Sequence, residues 1–271
     1  MTNTFFHIAL GVSCAASLAA VAAPQPVVIY GDDGYPPYSY VEHGKLTGIY
    51  TDIVQQALQS MPQYRVQLRP VPWKRGVLML QTGEAFALYP PYAVPGERPT
   101  VSYSMPFMTE QVAVFCNRDV VASRALARWP ADYRGLRIGL NAGSYVGDAS
   151  YNAAVKAGTL VIDAAKGTRT NMLKLMRGRI DCYINDRLAV QWELYRIRKE
   201  GLVVPSMLAI EETAQLASQQ VYLGFSHGVM GPDRPDIYPY RADFVVRFNA
   251  AILQMQQNGA IRRIVERALQ H

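Results

Sequence analysis

Two α/β lobes, each a mostly parallel sheet flanked by helices, are what this 271-residue sequence predicts. Three observations predict them. A strand–helix–strand–helix–strand rhythm runs from Val27 to Leu88, the same rhythm restarts at Arg137 and runs to Ile184, and the end of the chain is helical. Strands alternating with amphipathic helices form parallel sheets with helices on their faces. Half of the residues are hydrophobic and 18% are charged, so the chain can bury a large core and does not have a disordered composition.

The elements follow in order. Phe5 to Ala23 is apolar or small apart from His7, Ser13, Cys14 and Ser17, and no acid, Lys or Arg precedes Asp32. This reads as a secretory signal over residues 1–22, with Ala20-Val21-Ala22 as the small-residue cleavage site. Val27 to Tyr30 is a short apolar strand. Thr51 or Asp52 is expected to cap a helix carrying Ile53, Val54, Ala57, Leu58 and Met61 at helical spacing. Val66 to Val71 alternates as a strand, Lys74 to Thr82 is a helix closed by Gly83, and Ala85 to Leu88 is a strand.

The second series has strands at Arg137 to Leu140, Leu160 to Ile162 and Ile180 to Ile184, with helices near Gly147 to Ala157 and Thr170 to Arg177. At the end, Phe244, Val245, Phe248, Ala251, Ile252 and Met255 form one helical stripe. Gly259 stops it, and Ile261, Ile264, Val265 and Leu269 form another.

Charge and cysteine usage exclude several functions. The 27 Lys and Arg against 21 Asp and Glu give a net charge of +6, spread along the chain with no basic run, so no nucleic-acid partner is expected. His7, His43, His227 and His271 are far apart and no CxxC occurs, so no metal is expected. Beyond the signal only Cys116 and Cys182 remain. An oxidising compartment leaves a disulfide open, but two buried thiols on apolar strands are the slightly preferred reading.

Four segments place polar groups beside backbone punctuation. Gly31-Asp32-Asp33-Gly34-Tyr35-Pro36-Pro37-Tyr38 follows the first strand, where ligands of open α/β sheets gather, although an ordinary turn has the same composition. Val71-Pro72-Trp73 puts a Trp at another strand end, over a ligand or over the core. Pro95-Gly96-Glu97-Arg98 offers a guanidinium fork suited to a carboxylate. Asn141-Ala142-Gly143-Ser144-Tyr145-Val146-Gly147 is a strand-to-helix turn able to cradle an anion. It is neither a Walker loop nor a nucleophile elbow.

Together these segments resemble solute-binding protein family 3, the periplasmic receptors of polar amino-acid ABC transporters. The resemblance rests on Tyr35-Pro36-Pro37-Tyr38, Gly48-Ile49-Tyr50-Thr51-Asp52-Ile53, Gly96-Glu97-Arg98 and Tyr103-Ser104-Met105-Pro106-Phe107. In the second lobe it rests on Gly143-Ser144-Tyr145 and on Gly178-Arg179-Ile180-Asp181-Cys182-Tyr183-Ile184-Asn185-Asp186.

The resemblance implies a type II periplasmic-binding-protein fold with two crossing strands as hinge, near Thr109 to Val114 and Gln219 to Gly224. It divides the chain into lobe 1 over 23–112 and 221–271 and lobe 2 over 113–220. It implies that Arg98 grips a ligand α-carboxylate with help from Ser144 and Tyr145. Asp186 would take the α-ammonium, with Asp32 as a second acid, and Tyr35 and Trp73 would line the side-chain pocket. A periplasmic monomer without cofactor is expected, handing a small amino-acid-like ligand to an ABC-transporter permease in the inner membrane. It would bind without turnover. The alternatives are an enzyme on the same fold, similar to cyclohexadienyl dehydratases, and a sensing module for a membrane receptor.

The sequence departs from the family at Pro90-Pro91-Tyr92-Ala93-Val94-Pro95. There prolines replace the Ser or Thr region upstream of the Arg and remove N–H donors. The spacing from Arg98 to Tyr103 is one residue short, and Phe86 lies where the family carries Asp nearby. With Tyr92 and Tyr145 added to Tyr35 and Trp73, the pocket leans towards a larger or apolar ligand group.

Overall fold

The structure, a computed structural model, describes residues 23–93, 96, 98–144, 146, 149–201, 209–216, 218–228 and 236–268. The expected signal segment 1–22 and Tyr145 lie outside the described residues. The chain begins with β1 (Gln25–Asp32), a meander of β2 (Gly34–Tyr35), β3 (Ser39–Glu42) and β4 (Lys45–Thr47), then α1 (Ile49–Leu58), β5 (Tyr64–Val71), α2 (Trp73–Thr82), β6 (Ala87–Tyr89) and β7 (Val101–Tyr103). It crosses through β8 (Met108–Glu110) to β9 (Val112–Asn117), α3 (Arg118–Ser123), a 3-10 turn, β10 (Arg137–Asn141), α4 (Ala149–Lys156), β11 (Val161–Ala165), α5 (Gly167–Met176), β12 (Cys182–Asp186), α6 (Arg187–Lys199) and β13 (Ile210–Gln215). It returns through β14 (Gln219–Val221) to β15 (Gly224–Ser226), α7 (Arg241–Gln257) and α8 (Ala260–Ala268).

Two five-stranded sheets result, ordered β5-β1-β6-β15-β7 and β11-β10-β12-β9-β13. In the first, β1 runs parallel to β5 and β6, and only β15 opposes its neighbours. In the second, β10 runs parallel to β11 and β12, and β9 opposes β12 and β13. Between the sheets β8 and β14 pair antiparallel, with Gln219 opposite Glu110. These two strands carry the chain from the first sheet to the second and back.

The first core packs Ile29, Ile53, Phe86, Phe225, Phe244 and Ile264, so the C-terminal helices close the lobe that the N-terminus opens. The α7 stripe is buried where its period places it, at Phe244, Phe248, Ala251, Ile252 and Met255. The second sheet buries one face on Ile138, Tyr151 and Ile184 and the other on Met172, Leu175, Tyr183 and Ile197. Gly31 is required in β1, because a Cβ there would stand 2.5 Å from the Tyr89 ring.

Several expectations are corrected. The first helix starts at Ile49 after Gly48, with no side-chain cap. Thr51 instead lies inside it and donates back to the Thr47 carbonyl. Met61 is buried but falls beyond the helix end. β11 runs to Ala165, three residues past the expected end. The expectation of free thiols is wrong: Cys116 and Cys182 are directly opposed on β9 and β12 and form a disulfide.

The β2–β4 meander, α6 and β13 were not anticipated. The meander strands are too short for a periodic signal, and α6 is dominated by charge rather than by a clean apolar stripe.

Candidate functional site

A cavity of about 270 Å³ lies between the two sheets. That is just below the roughly 300–1,000 Å³ typical of small-molecule sites, so it suits a ligand of amino-acid size. Its walls come from the carboxyl ends of five parallel strands. From β1 come Asp32 and Asp33, followed by Gly34 and Tyr35; from β5, Pro72, Trp73 and Lys74; from beyond β6, Pro90, Tyr92 and Arg98. Opposite stand Asn141, Ala142 and Ser144 after β10, and Lys166 and Gly167 after β11. This is where α/β sheets collect ligands, because the strand ends leave helix N-termini and loop N–H groups free.

The two sides already touch at the rim. Trp73 Nε1 donates to the Gly143 carbonyl at 3.1 Å, and Gly143, at φ 88°, has no room for a Cβ, which would stand 2.9 Å from the Lys74 stem. A Cβ on Gly167 would lie 3.1 Å from the Gly34 carbonyl, so two backbones meet closely there.

Arg98 is buried, 9% exposed, and its Nη1 donates to the Tyr92 carbonyl at 2.8 Å. Among the described residues no carboxylate pairs with it. A buried guanidinium without an anion is electrostatically incomplete, because burial removes the hydration that balanced its charge. Asp32 Oδ1 accepts from Gly34 N at 3.0 Å. Burial, with the neighbouring Asp33 adding to it, pushes the Asp32 carboxyl up to about 7, while the Gly34 bond and the charge of Lys166 act the other way.

Behind the cavity wall lies a buried polar cluster. Glu110, on the crossing strand β8, accepts from Tyr35 Oη at 2.6 Å, Tyr92 Oη at 2.5 Å and Tyr50 Oη at 2.5 Å. Burial first, and the nearby Asp186 second, push its carboxyl up to about 8, against the three phenol bonds. Tyr38 stacks on Tyr50 and donates to Asp186 Oδ1 at 2.6 Å, so a side chain between β2 and β3 is tied to one at the end of β12.

Five of the seven sequence-predicted residues therefore converge on one cavity: Asp32, Tyr35, Trp73, Arg98 and Ser144. Asp186 does not line it. Its oxygens accept from Tyr38 Oη, from Gln111 N at 2.9 Å and from Ala189 N at 3.0 Å, the last as N-cap of α6. Tyr145 lies outside the described residues.

Sequence reasoning missed Lys74, Lys166 and Glu110. Lys166 follows the true end of β11, and the strand-end rule that flagged Asp32 would have flagged it had that strand been extended. Lys74 was read only as a helix start. Glu110 carries no local signal, since its phenol partners lie 18, 60 and 75 residues away.

Both raised carboxyls make stability depend on pH. Each keeps a proton in the folded chain that the unfolded chain has released, so the contribution of these two groups to stability is greatest at low pH. It is lost as pH rises through about 7 for Asp32 and about 8 for Glu110. Between pH 6 and pH 8.5 the wild-type melting temperature should fall by roughly 5 °C more than that of Glu110→Gln, which cannot ionise. Parallel melting curves over that interval check it, and identical slopes would show that Glu110 titrates as in the unfolded chain.

Comparison with known proteins agrees with the fold. The family model described as bacterial extracellular solute-binding proteins, family 3, matches residues 27–271. No curated protein matches by sequence. Among solved structures, a histidine kinase sensor domain with similarity to periplasmic binding proteins superposes with a TM-score of 0.72 at 19% identity, covering 91% of this chain and 96% of that one. The arginine-, lysine-, histidine-binding protein ArtJ from Geobacillus stearothermophilus gives 0.69 at 15% identity, covering 91% and 96%. An ancestral amino acid-binding protein that is a precursor of cyclohexadienyl dehydratase gives 0.67 at 15% identity, covering 90% and 94%.

Proposed function

Since the chain belongs to the bacterial extracellular solute-binding proteins of family 3, we propose that it captures a small zwitterionic or anionic ligand, an amino acid or a relative, in the cavity between its two lobes. It then delivers that ligand to an ABC-transporter permease in the inner membrane. The observation that carries this reading is Arg98, a buried cation with no carboxylate partner among the described residues, facing a cavity walled by both sheets. Arg98 takes the ligand carboxylate, and Ser144 and its turn complete that grip from the other lobe. Asp32 takes an ammonium, since the Asp186 oxygens are already occupied by three donors. Two such charge-assisted contacts supply about 3–6 kcal/mol, and burial of the ligand against Tyr35 and Trp73 adds enough to approach the ~8 kcal/mol of micromolar binding.

The family works outside the cytoplasm, and no helix among the described residues is long and apolar enough to cross a membrane. We place this protein in the periplasm, released by cleavage before Ala23. Native mass spectrometry of protein purified without denaturation tests the capture reading. A released small acid of amino-acid mass is expected, and failure of every amino acid and small carboxylate to bind would refute it.

One observation favours a second reading. Asp32 is a cavity carboxyl that keeps its proton close to neutral pH, as a general acid must. Incubation with prephenate or arogenate separates the two readings. Unchanged compound supports capture alone, and product forming in proportion to protein supports a dehydratase.

A further inference from the structure

Three aromatic side chains line the cavity, and each has its polar atom engaged elsewhere. The hydroxyls of Tyr35 and Tyr92 both donate to Glu110 Oε2, which is itself buried behind them. The Trp73 indole N–H donates to the Gly143 carbonyl. Pro72 and Pro90 add wall with no N–H to offer. The cavity therefore presents ring and proline surface over this part of its lining, while Asp32, Asp33, Lys74, Arg98, Ser144 and Lys166 supply charge and a hydroxyl elsewhere in it.

We propose that the ligand is a small carboxylate bearing an apolar, planar group, and that Glu110 is the positioning residue that sets this preference by holding the Tyr35 and Tyr92 hydroxyls out of the cavity. This rests on the capture reading above and deepens it by naming the ligand class.

The physical argument is one of satisfied and unsatisfied hydrogen bonds. A polar ligand side chain entering this part of the cavity leaves water and meets ring faces, because the phenol hydroxyls are turned to Glu110 behind the wall and the indole N–H to the Gly143 carbonyl. A planar apolar group loses nothing on entry and gains stacking on the rings. Glu110 can serve as the common acceptor because its Oε2 has a lone pair for each of these two phenols, in the carboxylic acid as in the carboxylate. Its place on β8, opposite Gln219 of β14, anchors both rings to the crossing ribbon rather than to a loop. The groups facing it are Tyr35, Tyr50, Tyr92 and, across the cluster, Tyr38 and Asp186.

Calorimetry with L-phenylalanine and phenylacetate against L-glutamine and L-glutamate, on wild type, Glu110→Gln and Glu110→Leu, decides it. The wild type should bind the phenyl compounds about tenfold to a hundredfold tighter than the polar ones, the scale of leaving one buried polar group unpaired. Glu110→Gln retains an acceptor and should keep that ratio. Glu110→Leu frees the phenols to turn inwards and should bring it to within about threefold, with thermal unfolding confirming a folded chain.

Tighter wild-type binding of the polar pair overturns the ligand class whether or not Glu110→Leu folds. A folded Glu110→Leu with the wild-type ratio overturns the role of Glu110. If none of the four compounds, nor any other small carboxylate, binds the wild type, the capture reading falls and this inference with it.

Discussion

Arg98→Met is expected to weaken binding of a carboxylate ligand by about 2–5 kcal/mol, roughly 30-fold or more, the scale for truncating one partner of a buried charge pair. Methionine keeps most of the stem's packing and removes the fork. The ligand anion would then enter a narrow, rimmed cavity with no guanidinium to replace its hydration. Folding should survive. Among the described residues the change removes the hydrogen bond from Nη1 to the Tyr92 carbonyl, worth about 1 kcal/mol. Calorimetry with the ligand identified by mass spectrometry, together with a melting curve, checks both halves. Near-wild-type affinity would mean that the carboxylate is held elsewhere, with Lys74 and Lys166 as the remaining cations of the lining. The prolines at 90 and 91, which lack N–H groups upstream of Arg98, make this a real contest.

The disulfide carries the largest expected effect on stability. Cys116 and Cys182 are fully buried, opposed in the antiparallel register of β9 and β12, and separated by 66 residues in sequence. Closing a loop of that length removes about 4 kcal/mol of unfolded-chain freedom in the chain-entropy model, and native bridges of this kind contribute about 2–5 kcal/mol. The double variant Cys116→Ala/Cys182→Ala should therefore melt roughly 10 °C lower. Its effect on ligand affinity should be small, since neither sulfur lines the cavity. Thiol labelling of the denatured chain beginning at Ala23, which lacks Cys14, should require prior reduction. Labelling without reductant, or a double variant as stable as the wild type, would refute the bridge.

The preference for free thiols failed for an instructive reason. Val112 to Cys116 lies within β9, and the strand expected over Ile180 to Ile184 forms two residues later as β12, but nothing along the chain says that the two are neighbours. β12 pairs with β9 only because the crossing strand enters the second sheet antiparallel beside it. Burial and opposition together make a disulfide, and only the first can be read locally.

The sequence by itself determined what depends on nearest neighbours along the chain. The period of Phe244, Phe248, Ala251 and Met255, the stop at Gly83 and the alternation of strand with helix are local properties, so the two α/β lobes were legible. So was the placement of Asp32, Tyr35, Trp73, Arg98 and Ser144 at the strand ends that make one cavity.

The tertiary structure alone decided which polar groups meet which. Asp186, expected to be free for a ligand, is bonded to Tyr38 of the other lobe and caps its own helix. Glu110, unremarkable on its strand, gathers three phenols from three distant segments. A hydrogen bond is settled by distance and angle in space, and a buried carboxylate takes whichever donors folding brings within about 3 Å of it. Periodicity is written in neighbouring residues, whereas the partners of a buried charge are written only in the finished packing.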